Sequence, residues 1–139
     1  IPPAAHRNPV CYNGDLLTVE DCNALRAEFP QVTSVMIGRG AIADPALFRK
    51  MRGGPAATRE ELQAFTRELY EGYCRVYGQA GPAAQRMKEL WFYLIHLFDG
   101  GDKLAKAMRR LKHPWEYEQL KDAIFQQLPL RTAAQGPLA

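Results

Sequence analysis

The hydrophobic pattern of this chain changes type once, at Met51-Arg52-Gly53-Gly54-Pro55, and that joint limits what the chain can fold into. Before it, short apolar runs flank a single helical repeat. Asn8-Pro9-Val10-Cys11-Tyr12 reads as a strand closed by the turn residues Asn13-Gly14-Asp15. Thr18 then has the character of an N-cap, with Asp21 three residues on as a variant capping box. Cys22, Leu25 and Phe29 recur at helical spacing before Pro30 stops the helix, and Val32 to Ile37 forms the next strand. Strand–helix–strand is the unit of a parallel sheet or barrel. One such unit leaves its strand edges unpaired and cannot close a barrel, so this region is expected to need partners outside the chain.

After the joint every apolar repeat is helical. Thr58 and Glu61 form a capping box, and Leu62, Phe65, Leu69, Tyr73 and Val76 line one face of the helix that follows. Gly78 to Gly81 ends it, and Pro82 suits the first turn of a second helix, with Met87, Leu90, Trp91, Leu94, Ile95 and Phe98 as its stripe. Asp99-Gly100-Gly101 separates that helix from a third. Pro114 closes the third and opens a fourth, in which Tyr117, Leu120, Ile124 and Leu128 repeat at helical intervals. The expected fold class is α/β followed by all-α, the second part a small antiparallel four-helix bundle. The expected divisions are 1–52, 53–130 and a flexible tail over 131–139.

Composition narrows the functional classes. A 47% hydrophobic content supports a buried core, and no apolar run approaches the roughly 18 residues of a membrane span. The N-terminus, which does not begin with methionine, lacks signal-peptide character, and the chain reads as a fragment. Cys11, Cys22 and Cys74 are too sparse for a disulfide framework or a paired metal site, and with His6, His96 and His113 show no ligand spacing; the expectation is buried thiols in a reducing cytoplasm and no metal. The net charge of +3 lies in the helical part, because acidic and basic residues balance in the first fifty positions.

Two turns stand where chemistry is expected. Asn13-Gly14-Asp15 and Gly38-Arg39-Gly40 each follow a strand, and in parallel α/β folds ligands gather at that end. An amide and a carboxylate beside glycines, an arginine and a following helix start suit a phosphorylated cofactor; two ordinary tight turns would look alike singly. On a helical wheel from Lys103, the side chains of Lys103, Lys106, Arg109, Arg110 and His113 share one broad face, opposite Leu104, Ala107, Met108 and Leu111. No acidic residue intervenes between Asp102 and Glu116, and such a face suits RNA phosphates or simply solvent. Trp91, Phe92, Tyr93, Phe98 and Trp115 could stack on bases or fill a core.

The segment Val10 to Phe48, above all Asn13-Gly14-Asp15 and Met36-Ile37-Gly38-Arg39-Gly40-Ala41 with Pro45 and Phe48, resembles the end of the barrel in tRNA-dihydrouridine synthases, and the resemblance extends over about residues 8–128. It implies the last βα units of an FMN-binding TIM barrel, then a helical tRNA-binding domain, in a cytoplasmic, monomeric enzyme that reduces the C5–C6 double bond of uridines in tRNA with NADPH. By position, it implies that Asn13, Gly14 and Asp15 line the flavin site and that Gly38 and Arg39 hold the FMN phosphate. Arg86-Met87-Lys88 followed by Arg109 resembles a tRNA-contacting pattern of one bacterial subgroup, so Arg86, Lys88, Lys106 and Arg109 are the expected RNA contacts. The family's proton-donating cysteine lies on an earlier barrel loop. None of Cys11, Cys22 and Cys74 matches it, so the chain is expected to contribute no catalytic residue and to be inactive alone. Another FMN-dependent barrel oxidoreductase and a noncatalytic RNA-binding helical module remain the alternatives.

Overall fold

A computed structural model describes residues 9–138; Asn8, at the expected start of the first strand, and His6 lie outside them. Strand β1 (Val10–Asn13), helix α1 (Val19–Glu28) and strand β2 (Val32–Met36) form one strand–helix–strand unit. The strands pair in parallel, with Cys11 opposite Ser34, Tyr12 opposite Val35 and Asn13 opposite Met36. Two short helices follow, α2 (Arg39–Ala43) and α3 (Leu47–Met51), and then the longer α4 (Arg59–Tyr77), α5 (Ala80–Leu94), α6 (Asp102–Arg110) and α7 (Pro114–Gln127). A 3-10 turn, Ile95–Leu97, extends α5.

The helix starts follow local chemistry. At α1 the Thr18 side chain accepts from the Asp21 backbone N–H at 3.0 Å, while the Asp21 carboxylate accepts from the Thr18 N–H at 3.2 Å. Thr58 and Glu61 make the same reciprocal pair at α4, both at about 3 Å. Gly78 ends α4 in the left-handed conformation, φ 68°, which favours glycine. Pro114 occupies the first turn of α7, where its missing N–H costs nothing.

Helix α5 is the hub, packing against α2, α4, α6 and α7. Its Trp91 is almost wholly buried, with Phe98 and Phe125 ring centroids 5.8 and 5.6 Å away. The Trp91 indole N–H donates to the Tyr117 hydroxyl at 3.4 Å, which satisfies the one polar atom of the ring. Burial pushes the Tyr117 hydroxyl pKa well up, and the bond from Trp91 opposes that only in part. A smaller cluster, Leu16, Cys22, Leu25 and Val32, sits between α1 and the sheet. Ala43 belongs to the larger, α5-centred core, so that core reaches back across the joint at residues 51–55.

The C-terminal segment departs from the expectation of a flexible tail. Over its described part it is pinned: Leu130 bridges Phe98, the Arg131 N–H donates to the Leu97 carbonyl at 2.7 Å, and the Gln135 N–H donates to the His96 carbonyl at 3.1 Å. Arg131 also pairs with Asp99 at 2.9 Å, and Ala134 and Leu138 are buried. The third helix is likewise shorter than its charge pattern implied. It ends at Arg110, Leu111 turns to extended backbone, and His113 becomes the cap of α7. Pro114 accounts for the extended backbone of His113, because the residue directly before a proline disfavours helical geometry.

One buried ion pair ties the two parts together. Asp44, 1% exposed, receives Lys50 Nζ at 2.5 Å, and Lys50 also donates to the Thr132 carbonyl at 2.6 Å. The other Asp44 oxygen accepts from the Ala46 N–H at 3.1 Å. The Lys50 contact satisfies the second oxygen as a close charge contact, although its angle is poor for a hydrogen bond. Replacing Lys50 with methionine leaves a buried carboxylate unpaired and should cost about 3 kcal/mol. The double variant Asp44→Asn, Lys50→Met should recover much of that loss, as measured by urea unfolding.

A second prediction concerns acid. Glu61 is held down to about 2 from an ordinary 4.5 by hydrogen bonds from Arg49 first and the Thr58 backbone next. Its folded-state pKa is depressed, so its contribution is present above about 4.5 and lost as pH falls toward 2. Thermal melts between pH 6 and 2 should therefore show a smaller acid-induced drop in Glu61→Gln than in the parent chain. Equal drops would rule out a role for Glu61.

Candidate functional site

Because β1 and β2 are adjacent and parallel, their C-terminal ends open on the same edge. Asn13 lies in register with Met36, so Asn13-Gly14-Asp15 and Gly38-Arg39 come together across that edge. The Arg39 guanidinium donates to the Asp15 carboxylate, and both side chains remain more than half exposed. The Leu16 N–H closes the first turn on the Gly14 carbonyl at 3.0 Å. Helix α2 opens at Gly38 with no side-chain cap, and its Ala41 N–H donates to the Gly38 carbonyl at 3.1 Å.

The glycines of the second turn do different things. At Gly38 an added Cβ would meet no atom within 4 Å, so this position faces open space. At Gly40, which is buried, an added Cβ would lie 2.0 Å from the Leu16 carbonyl oxygen. Gly40 therefore lets the loop after β1 pack against the start of α2 and is not itself open to a ligand. Gly14 is limited by the Tyr12 ring, a side chain that can move.

The corner fits an anion in part. Arg39 supplies positive charge, and Gly38 leaves room for close approach. Asp15, 68% exposed, opposes direct contact with phosphate and suits hydroxyl or amide groups of a ligand instead. The described cysteines do not converge on this edge as a reactive group. Cys11 is exposed on β1, Cys74 is half-buried on α4, and Cys22 is buried, with its pKa raised chiefly by that burial.

The basic residues of the helical part separate into two settings. Lys103, Lys106, Arg109 and Arg110 are exposed on α6, while His113 has left that face and stacks on Trp115, ring centroids 6.1 Å apart. Lys88 on α5 and Arg109 on α6 meet at an open cleft. Arg86 is already engaged: it donates to the Tyr77 hydroxyl at 2.9 Å and to Glu89 at 3.2 Å. Trp91 and Phe98 are core residues, whereas Trp115 is 61% exposed. Gln85, Glu89, Phe92 and Tyr93 also line the cleft, so Lys88 and Arg109 of the expected RNA contacts meet there two of the aromatic residues singled out in the sequence, while Gln85 and Glu89 were not among them. The spacing of Gln85, Lys88, Glu89 and Phe92 on one helical face is the signal that could have pointed to it.

Among the described residues, no helix is long and apolar enough to cross a membrane, and no group of three or more His, Cys, Asp or Glu side chains is placed to hold a metal ion.

A parallel strand–helix–strand edge with an arginine–carboxylate corner, followed by helices with a basic face, defines an α/β segment joined to a helical one. A family model described as dihydrouridine synthase matches residues 4–128, and the chain belongs to that family. A curated relative, a tRNA-dihydrouridine(16) synthase from Cupriavidus necator (strain ATCC 17699 / DSM 428 / KCTC 22496 / NCIMB 10442 / H16 / Stanier 337), is 29% identical over 120 residues. That alignment covers 84% of this chain and 37% of the relative, so the chain spans little more than a third of the relative's length.

The two glycines should respond unequally to alanine. Gly40→Ala should destabilise the chain by about 1–3 kcal/mol, because backbone must move to admit the methyl group. Gly38→Ala should stay within about 0.5 kcal/mol of the parent. Chemical denaturation of both variants checks this, and equal losses would show that Gly40 is not the packing glycine.

Proposed function

We propose that this chain is the C-terminal part of an FMN-dependent tRNA-dihydrouridine synthase, comprising the last βα units of its TIM barrel and its tRNA-binding helices. The observation that carries the reading is the juxtaposition of Asn13, Asp15, Gly38 and Arg39 on one sheet edge, with Arg39 and Asp15 paired. Family membership and the printed name of the relative support tRNA as the substrate.

Each residue then has a physical task. Arg39 and the backbone at Gly38 neutralise the FMN phosphate. Asp15 holds the guanidinium in place and, with the Asn13 amide, orients the polar part of the cofactor. When bound, FMN reduced by NADPH would supply the hydride for the uridine C5–C6 double bond, and the proton that completes the reduction would come from the cysteine that the family resemblance places on an earlier barrel loop. The α6 face, with Lys88 beside it, holds the RNA backbone. Extrusion of the target uridine follows from the chemistry, because a stacked base hides its reacting face.

Two measurements test the two halves. In the full-length polypeptide, Arg39→Ala should lower the flavin-to-protein absorbance ratio after purification; unchanged occupancy would remove Arg39 from the cofactor site. In tRNA binding, Lys103→Ala with Lys106→Ala should weaken affinity and flatten the plot of log K against log salt by nearly two units, about 0.9 for each phosphate no longer neutralised. An unchanged slope would remove the α6 face from the RNA interface.

A further inference from the structure

Helices α4 and α7 each pack on α5 but are not closely packed on each other. A separate cleft of about 480 Å³ lies between them, within the roughly 300–1,000 Å³ of small-ligand sites. None of its lining residues belongs to the strand-end corner or to the expected RNA contacts. Tyr70 of α4 and Tyr117 of α7 line it together, with ring centroids 4.8 Å apart. Tyr117 is fully buried. Its hydroxyl accepts from Trp91, and its own proton has no acceptor among the described residues.

The two walls carry opposite charge. Arg67, Glu71 and Arg75 share the cleft side of α4, so two cations stand against one carboxylate there. On α7, Lys121 is engaged by Asp122 at 3.0 Å, which leaves Glu118 to set the sign. Arg67, Glu71, Arg75 and Glu118 are exposed, and none of them is in an ion pair among the described residues. Glu118 also stands close to the rings: burial first, then Cys74 and Glu118, push the Tyr70 hydroxyl up. A simple anion would be opposed by the α7 wall and a simple cation by the α4 wall. A ligand with both signs on one apolar body meets an opposite charge at each end.

We propose that the α4–α7 cleft binds a small zwitterion of the aromatic α-amino acid class. Its carboxylate accepts from Arg67 and Arg75, its ammonium pairs with Glu118, and its ring packs against the Tyr70–Tyr117 pair. The proposal is independent of the flavin and RNA readings above.

The cleft carries its own reporter, because Cys74 lines it and is half-buried. In the full-length polypeptide, alkylation of Cys74 by iodoacetamide, followed by peptide mass spectrometry, should slow in a saturable way with added L-phenylalanine. Phenethylamine lacks the carboxylate, and 3-phenylpropionate lacks the ammonium. Each should need a concentration about 10-fold higher or more for the same protection, the loss of one charge-assisted contact. Arg67→Gln with Arg75→Gln should erase the preference for L-phenylalanine over phenethylamine, and Glu118→Gln the preference over 3-phenylpropionate. Both variants change exposed side chains, so the fold should be retained. Equal protection of the parent by either single-charge analogue would overturn the zwitterion. Protection by tRNA but not by L-phenylalanine would assign the cleft to RNA instead, and no protection by any of these probes would remove it as a site.

Discussion

The burial of Trp91 is the constraint on which the rest of the structure depends. It sits on α5, the helix that packs against α2, α4, α6 and α7, and its ring meets Phe98 and Phe125. Large aromatic groups contribute more burial per residue than any other side chain, and they demand a fixed arrangement around them. Here the indole N–H is satisfied by Tyr117. That places α7 against α5, and Phe98 carries the pairing with Leu130 that brings the tail back onto the core.

The same core organises the candidate sites at both ends of the chain. Ala43 lies within it, so α2 is held against α5, and the Gly38-Arg39 turn is the entry to α2. The Asp44–Lys50 pair, with the Thr132 carbonyl, locks the segment after α2 to the C-terminal residues. An ion pair of this kind is costly to break because each buried charge depends on the other. Elsewhere on α5, the cleft residues meet Arg109 of α6. One helix thus supports the strand-end corner through α2 and forms most of the lining of the cleft.

Electrostatics within the sites is arranged by pairing more than by net charge. Asp15 engages Arg39, and Glu89 engages Arg86. Exposed pairs of this type contribute little to stability, so their importance lies in direction. Each carboxylate fixes a guanidinium, and each guanidinium offsets a carboxylate that would repel phosphate. Only the neighbouring cations, such as Lys88 and Arg109, are left to face an anion at the cleft.

Much of this was legible in the residues. Thr18-x-x-Asp21 and Thr58-x-x-Glu61 specify their helix starts because capping is local chemistry, and the apolar spacings of α1, α4, α5 and α7 mark helices for the same reason. The two turns after β1 and β2 could be recognised as candidate ligand positions because a parallel pair must put both strand ends on one edge. The length of α6, the pinned tail, the buried Asp44–Lys50 pair and the convergence of Lys88, Phe92 and Arg109 on one cleft could not be read this way. Each depends on neighbours that packing brings together, in most cases residues far apart in the chain: Lys50 with Thr132, Phe98 with Leu130, Lys88 with Arg109. Sequence by itself determined the elements, their caps and the two candidate turns at the strand ends, since these arise from interactions within a few residues. The tertiary structure alone decided that Gly40 serves packing against Leu16, that Arg86 serves Glu89, and that the tail belongs to the core, because side-chain roles are set by the neighbours that packing supplies.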